Sequence, residues 1–464
     1  MTSSDLPSIV QLKPFLQPFP YGRNGMDSWA AQYALQTPSL AKGVEKNGGI
    51  KEDQPYGEIW LGSTHQNGPC YIEGKNESLK DLIQKDPQHF LGSKLLQDGQ
   101  MNSQYPNDLP YLFKVLSFDK PLPLQCHPDK KLGEALKDAE KKQKWRNSDF
   151  VDSNAKPEVG VALSPFTAFV GFRPLEQLNA ILNAVPEFRE LYKNSLASFS
   201  STATSSPSDE AAKDALQSLF REGINLPQDK VKELTESLSK RLANEGAEAV
   251  FGAANAFQAE SKANASGESE AQAMARVFNI SVGTYGVEDV GTIVAASLMN
   301  VLRMEKGEGA WIQADDLHAY VVGDIIECMA NSDNMVAHGL GTEKQGGIKT
   351  FVEMLSYRHL PASDLLLKHE DKWTKGKNGL TRFYDVPIAE FDLLSTTLTP
   401  SSTTEVLSPL DGPLTFVVTD GILNATVGDE TVELSRGQVG FVRAGVEVTF
   451  EAKGGAELWG TFYQ

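Results

Sequence analysis

The stretch "LTFVVTDGILNATVGDETVELSRGQVGFVRAGVEVTFEAKGGAELWGTFY", residues 414–463, limits the possible folds more than any other. Short runs of β-branched and aromatic residues alternate with Asp-Gly, Gly-Asp and Gly-Gly pairs every ~8–12 residues, the signature of hairpins in an all-β barrel or jelly roll. The same texture covers roughly the first third of the chain. "PYGEIWLGSTHQNGP" alternates and breaks at Asn67-Gly68-Pro69, "YLFKVLSF" is a strand by length and apolar content, and "PEVGVALSPFTAFVGF" reads as two strands around Ser164-Pro165. Residues 10–175 are therefore expected to be short strands and turns.

Between these β blocks the periodicity changes. In "PQDKVKELTESLSKRLANEG", Val231, Leu234, Leu238 and Leu242 recur at helical spacing, with Pro227 near the start and Gly246 near the end. The stretches "SLASFSSTATSSPSDEAA" and "ESKANASGESEAQ" are rich in small polar residues and read as surface loops. The resulting fold class is mainly β with a helical insertion. It divides into an N-terminal β part (10–174), a helical insertion (175–305), a segment completing the first β part (306–385) and a C-terminal β-domain (386–464).

With 464 residues the chain can bury a large core spread over two or three domains. A formal charge of −18 argues against nucleic acid or an anionic membrane as partner, since both require a basic face. It also repels a phosphorylated substrate, so local cations have to overcome the overall field. The three cysteines, Cys70, Cys126 and Cys328, are far apart and form no CxxC. No basic-then-apolar leader opens the chain, and the expected location is the cytoplasm.

In "LPLQCHPDK", Gln125 and His127 stand at i and i+2, so on a strand they project together while Cys126 points the opposite way. In "NAKPEVGVAL", Lys156 and Glu158 have the same spacing at the start of an apolar strand, where inward charges are costly unless paired. In "LHAYVVGDIIECMANSDN", His318 and Tyr320 share a face, and Glu327 sits in an apolar run before Asp333. Taken singly, each histidine reads as structural and the Lys156–Glu158 pair as a surface ion pair. Together, Gln125, His127, Glu158 and His318 form a mixed N/O ligand set suited to zinc used as a Lewis acid.

These long motifs, in this order, resemble the type I phosphomannose isomerases, or mannose-6-phosphate isomerases, of the fungal kind. The resemblance implies two cupin-like (jelly-roll) β-domains plus an α-helical domain. It implies one zinc ion per chain on the same four ligands, in a monomer that feeds GDP-mannose synthesis. It implies interconversion of mannose 6-phosphate and fructose 6-phosphate through a cis-enediol. Glu327 and Lys156 are the candidates for proton transfer, with Lys114, Glu58, Tyr320, Asp333 and His338 lining the substrate pocket.

The chain departs from the family where phosphate is held. The family reads "SDNVVRAGLTPK" where this chain has "SDNMVAHGLGTEK", so the family's arginine falls on Ala337 and its lysine on Glu343, or on Lys344 after a one-residue insertion. The serine two positions before the ligand glutamine is Pro123; apart from the phosphate end, an early Trp-Gly is replaced by Tyr21-Gly22. Three readings follow. His338 with Lys344 or Lys349 replaces the missing cations; the substrate is a sugar lacking the phosphate; or the protein is a non-catalytic zinc- and sugar-binding paralogue. A histidine anchor would make activity fall as pH rises past about 6.5.

Overall fold

In the computed structural model, two large antiparallel sheets and a helical block divide the chain, with residues 6–63, 68–143, 152–205, 207–260 and 267–464 described. The expected turn at Asn67 lies outside the described residues. The first sheet carries the strands used below: β1 (Glu58–Leu61), β2 (Tyr111–Phe118), β3 (Gln125–Cys126), β4 (Glu158–Ala162), β5 (Phe166–Phe172), β6 (His318–Ala330) and β7 (Val336–Gly339). The 13-residue β6 organises it. Along its length β6 pairs with β3, β5, β4 and β2, so distant segments converge on one strand.

The C-terminal sheet runs from Thr381–Tyr384 through Asp392–Leu398, Ala456–Phe462, Leu414–Val427 and Val439–Val442. It continues into Ile9–Lys13, which pairs with Val439–Val442, so the chain's first described strand belongs to this sheet. The Gly428-Asp429 pair makes the expected hairpin: Val427 faces Glu430, and Gly428 takes φ +57, as a two-residue type II′ turn requires. Asp420-Gly421 does not turn the chain. It lies inside the continuous strand Leu414–Val427, where the register shifts between Val418 and Asp420 and Gly421 takes φ +73. A Gly-marked bulge and a turn share one local signal, and pairing with Ala456–Phe462 decides for the bulge.

The two sheets share one core. Phe113, Val115, Ile326 and Cys328 from the first sheet pack in one cluster with Val417, Phe441 and Trp459 from the second.

The helix Gln228–Glu245 begins after Pro227, ends at Gly246, and buries Val231, Leu234, Leu238 and Leu242, as its periodicity predicts. The Ser-rich stretch before it is mostly not loop. Leu196–Ala203 is helical because Leu196 and Phe199 anchor it in the core, and Asp209 already opens the next helix, capped by Ser208. The first β block also contains more helix than its texture predicts, for example Leu79–Lys85 and Pro87–Gln97. Ser78 and Asp81 form a reciprocal capping box at the first of these, a start signal visible in the sequence. In the other loose stretch, residues 261–266 lie outside the described residues, and Ser269 caps the helix Glu270–Tyr285. No described helix is long and apolar enough to cross a membrane.

Candidate active site

Register across the first sheet lays polar residues in two rows. Trp60 on β1 stands opposite Lys114 on β2, Lys114 opposite Glu327 on β6, and Glu327 opposite Gly160 on β4. Cross-strand partners point to the same side of a sheet, so this row forms a floor. Cys328, the next residue along β6, points instead into the shared core. The second row is His318 on β6, Gln125 on β3 and Ala337 on β7. Cys126 packs into the core of the helical block, which leaves Gln125 facing inward.

Between these rows lies a cavity of about 850 Å³. Glu58, Lys114, Gln125, Lys156, Glu158, Glu327 and Asp333 all line it. Tyr320 adjoins the floor: a Cβ at Gly160 would come within 3.3 Å of its hydroxyl. That hydroxyl is buried without a hydrogen-bond partner among the described residues. His338 is not among the lining residues, although it was expected at the phosphate end. Its backbone N–H donates to the Leu124 carbonyl, and the register position beside Gln125 belongs to the methyl of Ala337. The side chains of Glu343 and Lys344 lie outside the described residues, and Lys349 is an exposed helix residue facing Glu353.

His127, Glu158 and His318 form one compact, buried group, with a ligand atom from each within 4.8 Å of the others. His127 Nδ1 donates to the Asn334 carbonyl at 2.7 Å, and His318 Nδ1 to the Asp316 carbonyl at 2.9 Å. These bonds fix the tautomer and turn both Nε2 lone pairs inward. His127 Nε2 stands 3.3 Å from one oxygen of Glu158, and His318 Nε2 stands 3.4 Å from the other. Neither Nε2 has a hydrogen-bond partner among the described residues. Burial holds the His127 imidazole down to about 4, so near neutral pH it is an acceptor facing an acceptor. Two lone pairs and a carboxylate converging without a shared proton suit a divalent cation, and with the neighbouring Gln125 amide the donors match zinc.

Two of the lining lysines pair with the site carboxylates. Lys156 Nζ lies 2.8 Å from Glu158. Burial opposes ionisation of Glu158, but the Lys156 ammonium beside it more than offsets this and holds the carboxyl well below the usual range. Lys114 lies 2.7 Å from Glu327 and 3.6 Å from Glu58. Burial pushes Glu327 up to about 7; Lys114 opposes the rise, while Glu158 and Glu58 reinforce it. Glu58 also accepts from Trp60 Nε1 and from the Tyr21 hydroxyl, which fixes its orientation.

The structure thus brings all the expected site residues to one place except His338. Sequence reasoning missed Trp60 and Tyr21, and the Asn334 and Asp316 carbonyls that orient the imidazoles. The i, i+2 spacing of Glu58 and Trp60 was a usable signal; the two carbonyls left none.

Residues 9–175 match the family model described as phosphomannose isomerase type I, catalytic domain. The chain is 33% identical over 475 residues to the mannose-6-phosphate isomerase of Cryptococcus neoformans var. neoformans serotype D, covering 99% of each chain. It is 32% identical to the mannose-6-phosphate isomerase of Saccharomyces cerevisiae over 452 residues, covering 96% of each. Among solved structures, a mannose 6-phosphate isomerase bound with zinc and yttrium superimposes with a TM-score of 0.75 at 21% identity, covering 99% of this chain and 100% of that one. The apo form of the Salmonella typhimurium enzyme gives 0.74 at 21% identity, with the same coverage.

Proposed function

The chain belongs to the type I phosphomannose isomerases, and from that premise we propose that it is a zinc-dependent enzyme interconverting mannose 6-phosphate and fructose 6-phosphate through a cis-enediol. The observation that carries the proposal is the buried His127–Glu158–His318 group opening onto a cavity that also holds Glu327, Lys114 and Lys156. Gln125, His127, Glu158 and His318 are the proposed ligands of one zinc ion per chain, which when bound supplies Lewis-acid polarisation of the sugar oxygens.

Glu327 takes the proton from C2 of the open-chain aldose, giving the enediol, and returns it to C1. In the first step the C2–H bond breaks, a double bond forms between C1 and C2, and the C1 carbonyl oxygen takes up a proton. In the second the O2 hydroxyl loses its proton, the C2 carbonyl forms, the C1–C2 double bond is consumed, and Glu327 delivers the proton to C1. A carboxyl lifted to about 7 by burial is matched to such a task near neutral pH. Lys156, already ion-paired with Glu158, is placed to stabilise negative charge developing on the sugar oxygens. Lys114, Glu58, Tyr320 and Asp333 shape and orient the pocket.

We assign two cupin-like β-domains joined by the helical insertion, with the boundaries given above, and a monomeric enzyme of the cytoplasm supplying mannose for GDP-mannose. The testing experiment is conversion of mannose 6-phosphate measured from pH 5.5 to 8.5 on the zinc-loaded protein. Since Glu327 acts deprotonated, kcat is expected to rise through about pH 7 and then level off. This replaces the fall above pH 6.5 expected of a His338 anchor. No turnover at any pH overturns the assignment, and a rate falling steadily with pH overturns the role of Glu327.

A further inference from the structure

Three lysines line the cavity, and two already face carboxylates. Lys114 lies against Glu327 and Glu58, and Lys156 against Glu158. Lys120 differs: its Nζ donates to the Pro20 carbonyl at 3.2 Å, and among the described residues it forms no ion pair. Of the described lining lysines, only Lys120 does not face one of the lining carboxylates Glu58, Glu158, Glu327 and Asp333 within ion-pair distance.

The rim around Lys120 has a different character. Tyr285, whose hydroxyl bonds the Pro121 carbonyl, and Gly341, which packs against the Tyr285 ring, lie near it, and neither they nor Thr284 and Thr342, which also line the cavity, carry a carboxylate. Asp289 lies behind this rim, but its oxygens are taken by the backbone N–H groups of Thr292, Leu340 and Gly341. The helix Glu270–Tyr285 ends here, and its C-terminal carbonyls oppose an anion weakly; a charge-assisted contact from a lysine outweighs them.

The base of Lys120 is held rigidly. The Leu122 N–H donates to the Tyr320 carbonyl at 2.8 Å, and the Tyr285 hydroxyl donates to the Pro121 carbonyl. Five residues of extended chain, at most about 17 Å, separate Lys120 from Gln125. Lys120 and Gln125 line the same cavity, so a sugar with its reacting carbons at the metal group can direct its far end toward Lys120. The arginine that the family carries would stand at Ala337, where only a methyl remains.

We infer that Lys120 is the phosphate-holding cation of this enzyme and sets its preference for a phosphorylated sugar. The inference rests on the isomerase reading above. It is tested on the zinc-loaded full chain by comparing wild type, Lys120→Ala and Lys120→Arg. The readouts are kinetics on mannose 6-phosphate, inhibition by inorganic phosphate, and calorimetric binding of inorganic phosphate. For Lys120→Ala, KM and the phosphate inhibition constant are expected to rise about 10- to 100-fold, with kcat falling far less and zinc content unchanged. Lys120→Arg, which keeps the charge, is expected to recover most of the loss. Constants within twofold of wild type in Lys120→Ala overturn the inference. If the wild type turns over no mannose 6-phosphate, the isomerase reading fails separately. Calorimetry then decides: phosphate binding by wild type that is lost in Lys120→Ala sustains the role of Lys120, and binding by both proteins or by neither overturns it.

Discussion

Glu327→Gln is expected to lower kcat on mannose 6-phosphate by ~10²- to 10⁴-fold, the range for loss of a positioned general base, while KM changes little. Glutamine keeps the shape and cannot accept the proton. Glu327 lies in the middle of β6, 3% exposed, on the cavity floor and against Lys114. Lys114 keeps its contact with Glu58 in the variant, so the floor retains a paired cation. Zinc content measured on the same preparation separates a lost base from a lost metal. Turnover within tenfold of wild type at full zinc occupancy would transfer the proton-transfer role to Lys156. The proposal puts Glu327 first because Lys156 is drawn to Glu158 while burial raises Glu327 to about 7.

Replacing His318 by Ala is expected to weaken zinc binding by more than ~100-fold, beyond the usual cost of disturbing an outer-shell partner. Activity should fall with it to near background. Plasma mass spectrometry of the dialysed protein checks the first effect directly: wild type is expected to retain close to one zinc per chain, and the variant far less. The reason is local. His318 is fully buried, its Nδ1 bond to the Asp316 carbonyl fixes the ring, and its Nε2 has no other use. Asp316 is in turn held by Arg358 and Ser356, so the ring stands on a braced turn. Equal zinc content in variant and wild type would remove His318 from the ligand set.

Much of this site was legible in the sequence because strands have period two. Gln125 with His127, Lys156 with Glu158, and His318 with Tyr320 each announced a shared face. The structure brings those faces to one cavity through the pairing of β3, β4 and β6. What the sequence could not convey was cross-strand register. Nothing local says that Lys114 lies opposite Glu327, or that Ala337 and not His338 stands beside Gln125. The helices of the first β block give little periodic signal, because they are short and their stability comes from tertiary burial of residues such as Leu79, Leu82 and Ile83; the Ser78–Asp81 cap is a local sign of them. The strand Ile9–Lys13 likewise finds its partner more than 400 residues away, at Val439–Val442, a contact that only the folded chain reveals.

A side-by-side isomerase assay on mannose 6-phosphate and free mannose, with and without a zinc chelator, bears most directly on a metal-assisted sugar-phosphate isomerase. Rapid conversion of the phosphorylated sugar, abolished by chelator, restored by zinc, and far slower on free mannose is the expected result. Conversion that survives complete removal of zinc, or that is confined to free mannose, would contradict it.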